Sequence, residues 1–222
     1  MALSQAVEDY IKAIYRLEKE EGGKGVSTTK IAREMEVSSA SVTNMIKRLA
    51  DLDLVKYRSY YGTTLTDAGK KIALEIIRHH RLLELYLKEV LGYSWDEVHD
   101  EAENLEHHIS EQFEDKIAEL LDNPTHDPHG DPIPSKDGVM PEIATRPLSE
   151  VEKGETLMIG RVVDQDPELL RYLEEIGLIP GIEVEVIDIA PFKGPITLKL
   201  EGKKQIVGYE VAVNLFVISS ED

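Results

Sequence analysis

Histidine and acidic side chains repeat at helical spacing between residues 94 and 121. Ser94 followed three residues later by Glu97 is typical of a capping box, so the sequence predicts one helix over this stretch. At about 100° per residue, its apolar residues form a stripe for the core and an arc of polar residues lies beside that stripe. Carboxylates and imidazoles at the rim of a core are costly without a positive partner, and a divalent metal ion is the clearest candidate. The arc consists of His99, Glu103, Glu106 and His107.

The distribution of histidine decides how this helix is interpreted. Acidic residues on an amphipathic helix are more often a solvated face than a metal site, so the helix alone leaves both interpretations open. All seven histidines, however, lie between positions 79 and 129, and His80 and Glu84 stand four residues apart on a second predicted helix. Two facing helices that each offer His and carboxylate predict a paired or polynuclear metal site.

Length and composition limit the class of protein. The 222 residues fit two or three small domains. No apolar run approaches the ~18 residues of a membrane span, and the first residues lack a signal-peptide pattern. We therefore expect a cytoplasmic protein with no membrane partner. Because the chain has no cysteine, disulfides and thiolate ligands are excluded, and a metal ion would be held by oxygen, nitrogen or at most a thioether.

Charge is spread unevenly along the chain. The net charge of −18 would oppose DNA binding if it were uniform. From Lys24 to Lys71, however, there are nine Lys or Arg residues and five Asp or Glu residues, whereas residues 77–222 contain 13 basic and 32 acidic residues. A small basic segment can therefore bind the phosphate backbone while the acidic remainder repels it.

The basic segment has the pattern of a winged helix-turn-helix. Two short predicted helices, opened by Ser27 and Ser39, flank a tight turn at residues 37–39. Short β-type runs around residues 60–62 predict a wing, and Thr66 opens a long helix. Small polar side chains can read base edges, and cations can reach phosphates. The candidate DNA-binding residues are Ser38, Ser39, Ala40, Ser41, Thr43, Asn44, Lys47, Arg48, Lys56 and Arg58.

The chain changes character after residue 121. Six of the ten prolines fall between Asp122 and Pro147, which predicts a connection between domains that is partly ordered at best. Residues 148–219 then show five short strands and one helix, which Asp166 caps and Gly177 ends, and this pattern predicts a small barrel. The acidic and imidazole residues of the connection are expected to be solvated turn residues, with a role as metal ligands as the weaker alternative; they are His126, Asp127, His129 and Asp131.

These segments, taken in order, resemble the metal-dependent repressors typified by the diphtheria toxin repressor, the iron-dependent regulators and the manganese transport regulators. The tail resembles the SH3-like domain, akin to the ferrous-transport A protein, that three-domain members carry. The matching segments are EDYIKAIYRLE, VSSASVTNMIKRLADLDLV, LTDAGKKIA, HHRLLELYL, VHDEAENLEHHIS and PHGDPIP, and they cover residues 5 to about 135.

The resemblance implies a mainly α fold with a small β component, in three domains. A winged helix-turn-helix DNA-binding domain is expected over residues 1–73. A helical metal-binding and dimerisation domain with a Pro-rich end is expected over residues 74–140. An SH3-like β-barrel is expected over residues 148–222.

The resemblance also implies a set of metal ligands. The family's primary site falls on Asp9, Glu103, Glu106 and His107. Its ancillary site falls on His80, Glu84 and His99, and Asp166 and Glu168 are the nearest counterparts of the ligands that some members supply from the SH3-like domain.

Two departures from the family pattern bear on the metal. Iron-responsive members have Met and Cys where Asp9 and Glu103 stand, so this harder ligand set favours Mn(II) first and Fe(II) second, with Zn(II), Co(II) or Ni(II) able to bind in vitro. Two-domain manganese regulators have Glu at the position of Lys12. Because an ammonium group cannot bind a metal ion, we expect two separated sites here instead of one close binuclear site.

The sequence thus predicts a homodimeric repressor that Mn(II) activates to bind a palindromic operator of metal-uptake genes. Carboxylates from separate helices would repel one another until a shared ion holds the DNA-binding unit in place. A winged-helix repressor of an organic ligand is the alternative, although its pocket would be apolar or aromatic. An enzyme of the di-iron carboxylate type is not expected, because that chemistry uses Glu-x-x-His on two helices and residues 103–107 offer Glu-x-x-Glu-His instead.

Overall fold

The computed structural model describes residues 3–163 and 166–219. Tertiary contacts divide the chain into two compact units. The first unit consists of Met1–His79, Glu106–Ile109 and Pro134–Met140, and the second of His80–Leu105, Ser110–Ile133 and Pro141–Asp222.

The first unit contains the predicted winged helix-turn-helix. Three helices come first, and the two strands of the wing then pair in antiparallel fashion, with Val55 opposite Leu65 and Arg58 opposite Gly62. The elements are α1 (Gln5–Glu20), α2 (Thr28–Glu34), α3 (Ser39–Asp51), β1 (Val55–Arg58) and β2 (Gly62–Leu65).

Hydroxyl groups define where the helices of this unit begin. The predicted cap of α3 was Ser39, but the structure corrects it to Ser38, whose hydroxyl accepts a hydrogen bond from the Ser41 backbone N–H at 3.2 Å. Ser38 has the extended backbone of a capping residue, with φ −71° and ψ 147°, whereas Ser39 is already helical. Thr66 precedes α4 (Asp67–Glu89) as predicted, and its hydroxyl accepts from the Gly69 N–H at 3.1 Å.

One apolar core joins α1, α2 and α3 to the wing, and a carboxylate lies inside it. The Glu18 side chain of α1 is buried, and its Oε2 accepts a hydrogen bond from the backbone N–H of Leu65 in β2 at 3.0 Å. This bond ties the first helix to the wing. The fully buried core residues are Val7, Ile11, Ile14, Val26, Ile31, Val42, Leu49 and Ala73.

The single helix predicted over residues 94–121 is two helices in the structure, so that prediction was wrong. Helix α5 spans Val98–Leu105 and α6 spans Glu111–Leu120. Residues 106–108 form a turn between them. Ser110 caps α6 by accepting from the Phe113 N–H at 3.3 Å, so the chain begins a new helix there instead of extending α5.

The predicted capping box at Ser94 also differs from the structure. The Ser94 hydroxyl donates to the Glu97 carboxylate at 2.7 Å, and α5 begins only at Val98. The residues between them form turns. Because α5 is short, Glu106 and His107 lie beyond its end and do not continue the helical arc of His99 and Glu103.

The Pro-rich connection is better ordered than the sequence predicted. Asp127 and His129 are 7% and 0% exposed, not solvated. The Asp127 carboxylate accepts from the backbone N–H groups of His129 and Asp131 at 2.8 and 3.0 Å. Gly130 adopts φ +86°, and a Cβ there would lie 2.0 Å from the Gly160 carbonyl oxygen, so only glycine fits. Close backbone packing therefore buries this segment within the second unit.

The second unit ends in the SH3-like domain, which is rich in strands as predicted. Its strands are β3 (Arg146–Pro147), β4 (Thr156–Val162), β5 (Glu183–Ile189), β6 (Ile196–Leu200), β7 (Lys203–Val207) and β8 (Leu215–Ser219). They form one antiparallel sheet in the order β3-β8-β4-β5-β6-β7, and within the described residues β3 and β7 remain unpaired edges, so hydrogen bonds do not close a barrel. Register shifts in β4 and β5 bend the sheet.

Two further helices belong to this domain. Helix α7 (Pro167–Glu175) is capped by Asp166 and is followed by Gly177 with φ +76°, both as predicted. Helix α8 (Tyr209–Ala212) precedes the last strand. Across residues 3–163 and 166–219, no helix has both the length and the apolar character needed to cross a bilayer.

Replacing Glu18 with Ala should lower the free energy of unfolding of the first unit by about 2 kcal/mol, because the buried Leu65 amide would lose a charged acceptor. Hydrogen exchange at the Leu65 amide, together with urea unfolding, measures this change. Glu20→Ala, at an exposed position of the same helix, is the control and should change stability by less than about 0.5 kcal/mol. Equal protection of Leu65 in both variants would contradict the role of Glu18.

Candidate metal centres

Asp9, Glu106 and His107 converge in the first unit. Asp9 lies on α1, and Glu106 and His107 lie in the turn after α5. The Nε2 atom of His107 is 2.8 Å from Asp9 Oδ1 and 3.3 Å from Glu106 Oε1. The three side chains can each offer one ligand atom to the same ion. The structure thus brings together three of the four residues that the resemblance implied for the primary site.

The hydrogen bonds of His107 leave one ring nitrogen available for a ligand. Its Nδ1 lies 2.6 Å from Glu8 Oε2, so with the proton on Nδ1 the imidazole donates to Glu8. Nε2 is buried and, among the described residues, forms no hydrogen bond although it faces Asp9 and Glu106. A ring nitrogen held in this way fits a metal ligand, because a carboxylate on the other nitrogen fixes the tautomer of metal-binding histidines.

Two neighbours hold Glu106 in place. His79 Nδ1 lies 3.2 Å from the backbone oxygen of Glu106, within hydrogen-bond distance. The ammonium nitrogen of Lys12 lies 2.8 and 2.9 Å from the two carboxylate oxygens of Glu106, whose side chain is fully buried. Sequence reasoning missed Glu8 as a partner of His107 and Lys12 as a partner of Glu106, because both contacts join residues more than 90 positions apart.

A second cluster in the second unit contains His80, Glu84, His99 and Glu103. Glu84 Oε1 lies 3.0 Å from His80 Nε2 and 3.1 Å from His99 Nδ1. Glu103 Oε1 lies 3.8 Å from His80 Nδ1 and 3.9 Å from His99 Nε2. His99 and Glu103 are four residues apart on α5 and therefore share a face. The structure thus groups Glu103 with the three residues expected in the ancillary site.

Glu84 is the most buried carboxylate of this cluster, with 1% of its surface exposed. Burial raises its pKa, but the charge of His80 and the nearby imidazoles of His129, His80 and His99 outweigh burial and hold the pKa well below its usual range. Glu84 therefore stays ionised, and its carboxylate can accept a hydrogen bond from an imidazole N–H or bind a cation.

A third cluster consists of Glu84, Asp127 and His129, all of them buried. His129 Nε2 lies 2.8 Å from the Trp95 carbonyl oxygen, and the imidazole stacks on the Trp95 ring. Its Nδ1 is 3.6 Å from Glu84 Oε2 and, in the described part of the chain, has no hydrogen bond. This arrangement again fixes the tautomer and leaves one nitrogen facing a carboxylate.

Burial, followed by the nearby charges of Glu84 and Asp131, raises the pKa of the Asp127 carboxyl group to about 8. A raised pKa favours the protonated carboxyl group and therefore opposes the binding of a cation at this cluster. The sequence offered little to reveal the cluster, since its three residues become neighbours only when the Pro-rich segment packs into the second unit.

Asp166 and Glu168 have a different local role in the structure. Both are exposed at the start of α7, and Asp166 Oδ1 accepts from the Glu168 backbone N–H at 2.8 Å. Neither belongs to a metal-binding group of three side chains in residues 3–163 and 166–219. Their part in ancillary metal binding stays a prediction.

The candidate DNA-binding residues lie on the exposed side of α3 and on the wing. Val42, Ile46 and Leu49 turn the opposite side of α3 into the core. Thr43 donates a hydrogen bond back to the Ser39 carbonyl at 2.8 Å. The exposed set is Ser38, Ser39, Ala40, Ser41, Thr43, Asn44, Lys47 and Arg48 on and before α3, with Lys56 and Arg58 on β1.

The wing carries a basic cavity of about 540 Å³. Lys24, Lys56 and Arg58 line it beside Tyr60 and Tyr61. Both tyrosine rings are largely exposed, at 103% and 77%. Cations grouped around exposed aromatic rings are suited to a phosphate backbone.

Comparison with protein families assigns each part of the chain. Residues 2–63 match the N-terminal DNA-binding domain of the iron-dependent repressors. Residues 66–135 match the metal-binding and dimerisation domain of the same repressors. Residues 146–219 match the FeoA domain.

Full-length relatives and solved structures agree with these matches. The chain is 31% identical over 216 residues to the iron-dependent repressor IdeR of Mycobacterium tuberculosis, covering 92% of each chain. It is 37% identical over 116 residues to the HTH-type transcriptional regulator MntR of Bacillus pumilus, covering 52% of this chain and 78% of that protein. A solved manganese-dependent transcriptional repressor in complex with manganese has a TM-score of 0.84 and 38% identity, covering 96% of this chain and 99% of that chain.

Replacing Glu8 with Ala should weaken Mn(II) binding at the Asp9–Glu106–His107 cluster by about 10- to 100-fold, because His107 would lose the acceptor that fixes its tautomer. Calorimetric titration with Mn(II) measures the dissociation constant, and the step that disappears in His107→Ala belongs to this cluster. Glu20→Ala is the control on the exposed side of α1. An unchanged constant in Glu8→Ala would show that Glu8 does not position the imidazole.

Proposed function

This chain belongs to the family of iron-dependent repressors and is a metal-dependent transcriptional repressor, and we propose that Mn(II) is the ion that activates it, with Fe(II) as the second candidate. The convergence of Asp9, Glu106 and His107 carries the proposal. Their donors are hard oxygen and imidazole nitrogen, which suit Mn(II) better than ligand sets with sulfur do. The similarity to a manganese-dependent repressor that was solved with manganese adds support.

The chain's own residues suggest how metal and DNA binding are coupled. Asp9 projects from α1, whose apolar side packs into the core shared with the wing. Glu106 and His107 come from a turn about 100 positions later in the chain, and Glu8 keeps the Nε2 atom of His107 directed at the carboxylates. A bound ion supplies the positive charge that these donors share. Shared ligation would then hold α1 and the turn together and favour one arrangement of the DNA-binding elements.

The ancillary site of the proposal lies in the second unit. His80, Glu84 and His99 are the proposed ligands, and Glu103 lies close enough to join them. Glu84 presents Oε1 to this cluster and Oε2 to His129. Asp166 and Glu168 remain the proposed contributors from the SH3-like domain.

The regulated target follows from the family and from the exposed side of α3. We expect a homodimer to place two recognition helices in successive major grooves about 34 Å apart, and so to bind a palindromic operator. Metal-uptake genes are the expected targets, since a repressor that needs metal would silence uptake when metal is plentiful. As a partner of chromosomal DNA, the protein would act in the cytoplasm.

Two alternative functions, a repressor of an organic ligand and an enzyme, agree less well with the structure and the family. A repressor of an organic ligand would need an apolar or aromatic pocket, whereas His107 contacts three carboxylates, those of Glu8, Asp9 and Glu106. The family consists of transcriptional regulators, not enzymes.

The decisive experiment is a DNA-binding titration with and without metal. The probe is a fluorescent duplex selected by the Mn(II)-loaded protein from random sequences. Excess Mn(II) should tighten binding by at least about 100-fold over excess chelator, because a coupling free energy of 1–3 kcal/mol corresponds to about 5- to 150-fold for each coupled site and a dimer carries two. Fe(II), measured without oxygen, and Zn(II) complete the ranking.

Matched histidine variants assign the effect to the proposed site. His107→Ala should abolish the Mn(II) dependence, while His108→Ala, at the exposed neighbouring position, should retain it. Equal binding by the wild-type protein in Mn(II) and in chelator would refute the proposed function. If His107→Ala retained the Mn(II) dependence, the activating metal ion would bind elsewhere.

Lys47→Ala should weaken binding to every duplex sequence and reduce the slope of log affinity against log salt by about one per subunit, because one phosphate contact is lost. Fluorescence anisotropy at several salt concentrations gives the slope. Lys203→Ala, at an exposed position on β7, is the control. A sequence-dependent loss with an unchanged salt slope would mean that Lys47 reads bases instead of phosphates.

A further inference from the structure

Lys12 places a permanent cation on one of the candidate metal ligands. Its ammonium nitrogen lies 2.8 Å from Glu106 Oε1 and 2.9 Å from Glu106 Oε2, so both carboxylate oxygens are engaged. The Glu106 side chain is 0% exposed and that of Lys12 only 21% exposed. Water therefore screens this pair little, and the ammonium group neutralises the buried carboxylate.

The same carboxylate faces the Nε2 atom of His107. Glu106 Oε1 is 2.8 Å from the Lys12 ammonium and 3.3 Å from His107 Nε2. A divalent ion held by Asp9, Glu106 and His107 would therefore share an oxygen with the ammonium group or displace it. Two cations on one carboxylate repel each other, so the two cannot both bind at full strength.

We propose that Lys12 is an internal competitor for the metal, and that its ammonium group sets the metal concentration at which the repressor is activated. The inference rests on the proposed function, since it deepens the role of the Asp9–Glu106–His107 cluster. In the metal-free protein Lys12 satisfies Glu106 and holds α1 to the turn at residues 106–109. Metal binding replaces that contact, so the free energy of the Lys12–Glu106 pair is subtracted from the metal affinity.

The test compares charge-removing and charge-keeping variants. Lys12→Met retains an unbranched apolar stem without the charge and should bind Mn(II) at least about tenfold more tightly, since charge-assisted hydrogen bonds are worth a factor of ten or more in an equilibrium constant. Lys12→Arg keeps a cation and should stay within about threefold of the wild type. Lys19→Met, which removes an exposed lysine from the same helix, should change nothing.

Calorimetry of the full-length protein without DNA provides the readout. The double variant Lys12→Met with His107→Ala should lose the gain, which assigns it to this cluster. A second readout is thermal: in chelator Lys12→Met should melt below the wild type, because the buried Glu106 carboxylate loses the ammonium group that neutralises it, and Mn(II) should raise its melting temperature more.

The direction of the change in Mn(II) affinity distinguishes competition by Lys12 from positioning of Glu106 by Lys12. If Lys12→Met binds Mn(II) with equal or lower affinity, Lys12 orients Glu106 for the metal and the proposal is overturned, even if the metal-free variant melts earlier. Because no DNA is present, failure here is distinct from failure of the proposed function. Absence of Mn(II)-dependent DNA binding would refute the proposed function. The proposal about Lys12 is tested only by the order of the Mn(II) affinities of the variants.

Discussion

A carboxylate that leaves water needs a positive charge or hydrogen-bond donors beside it, and the candidate centres of this protein depend on how that need is met. Glu106 and Glu84 are each 1% exposed. Lys12 binds the first through both oxygens, and three imidazoles surround the second. A metal ion at either site would therefore meet a carboxylate that already has partners within the protein. It would compete with the ammonium group or the imidazoles that already contact the carboxylates, so the affinity for metal is a difference between two favourable states.

The end of α5 at Leu105 determines which of the possible metal ligands lie close together. Had the helix continued, Glu103, Glu106 and His107 would lie on one arc. Because it ends at Leu105, Glu106 and His107 turn toward Asp9, while Glu103 stays on α5 beside His80 and His99. Ser110 favours the break by capping a new helix immediately afterwards. A local capping preference thus separates side chains that the sequence pattern groups together.

The first helix links the metal centre to the DNA-binding elements. One side of α1 carries Val7, Ile11 and Ile14 into the core of the winged helix-turn-helix, and Glu18 reaches the backbone of the wing. Another side carries Asp9 and Lys12 to the turn at residues 106–109. A change of partner at Asp9 or Lys12 therefore acts on a helix whose other contacts belong to the DNA-binding core.

The sequence alone determined the features that depend on neighbours in the chain. Helical periodicity and turn residues predicted the winged helix-turn-helix, the Thr66 and Asp166 caps and the strand-rich tail, because hydrophobic spacing and capping act within a few residues. The tertiary structure decided what depends on distant contacts: the pairing of Glu8 with His107 and of Lys12 with Glu106, the grouping of Glu103, and the burial of Asp127 and His129. Residues far apart in the chain meet only after the core has packed, and no local pattern encodes those distances.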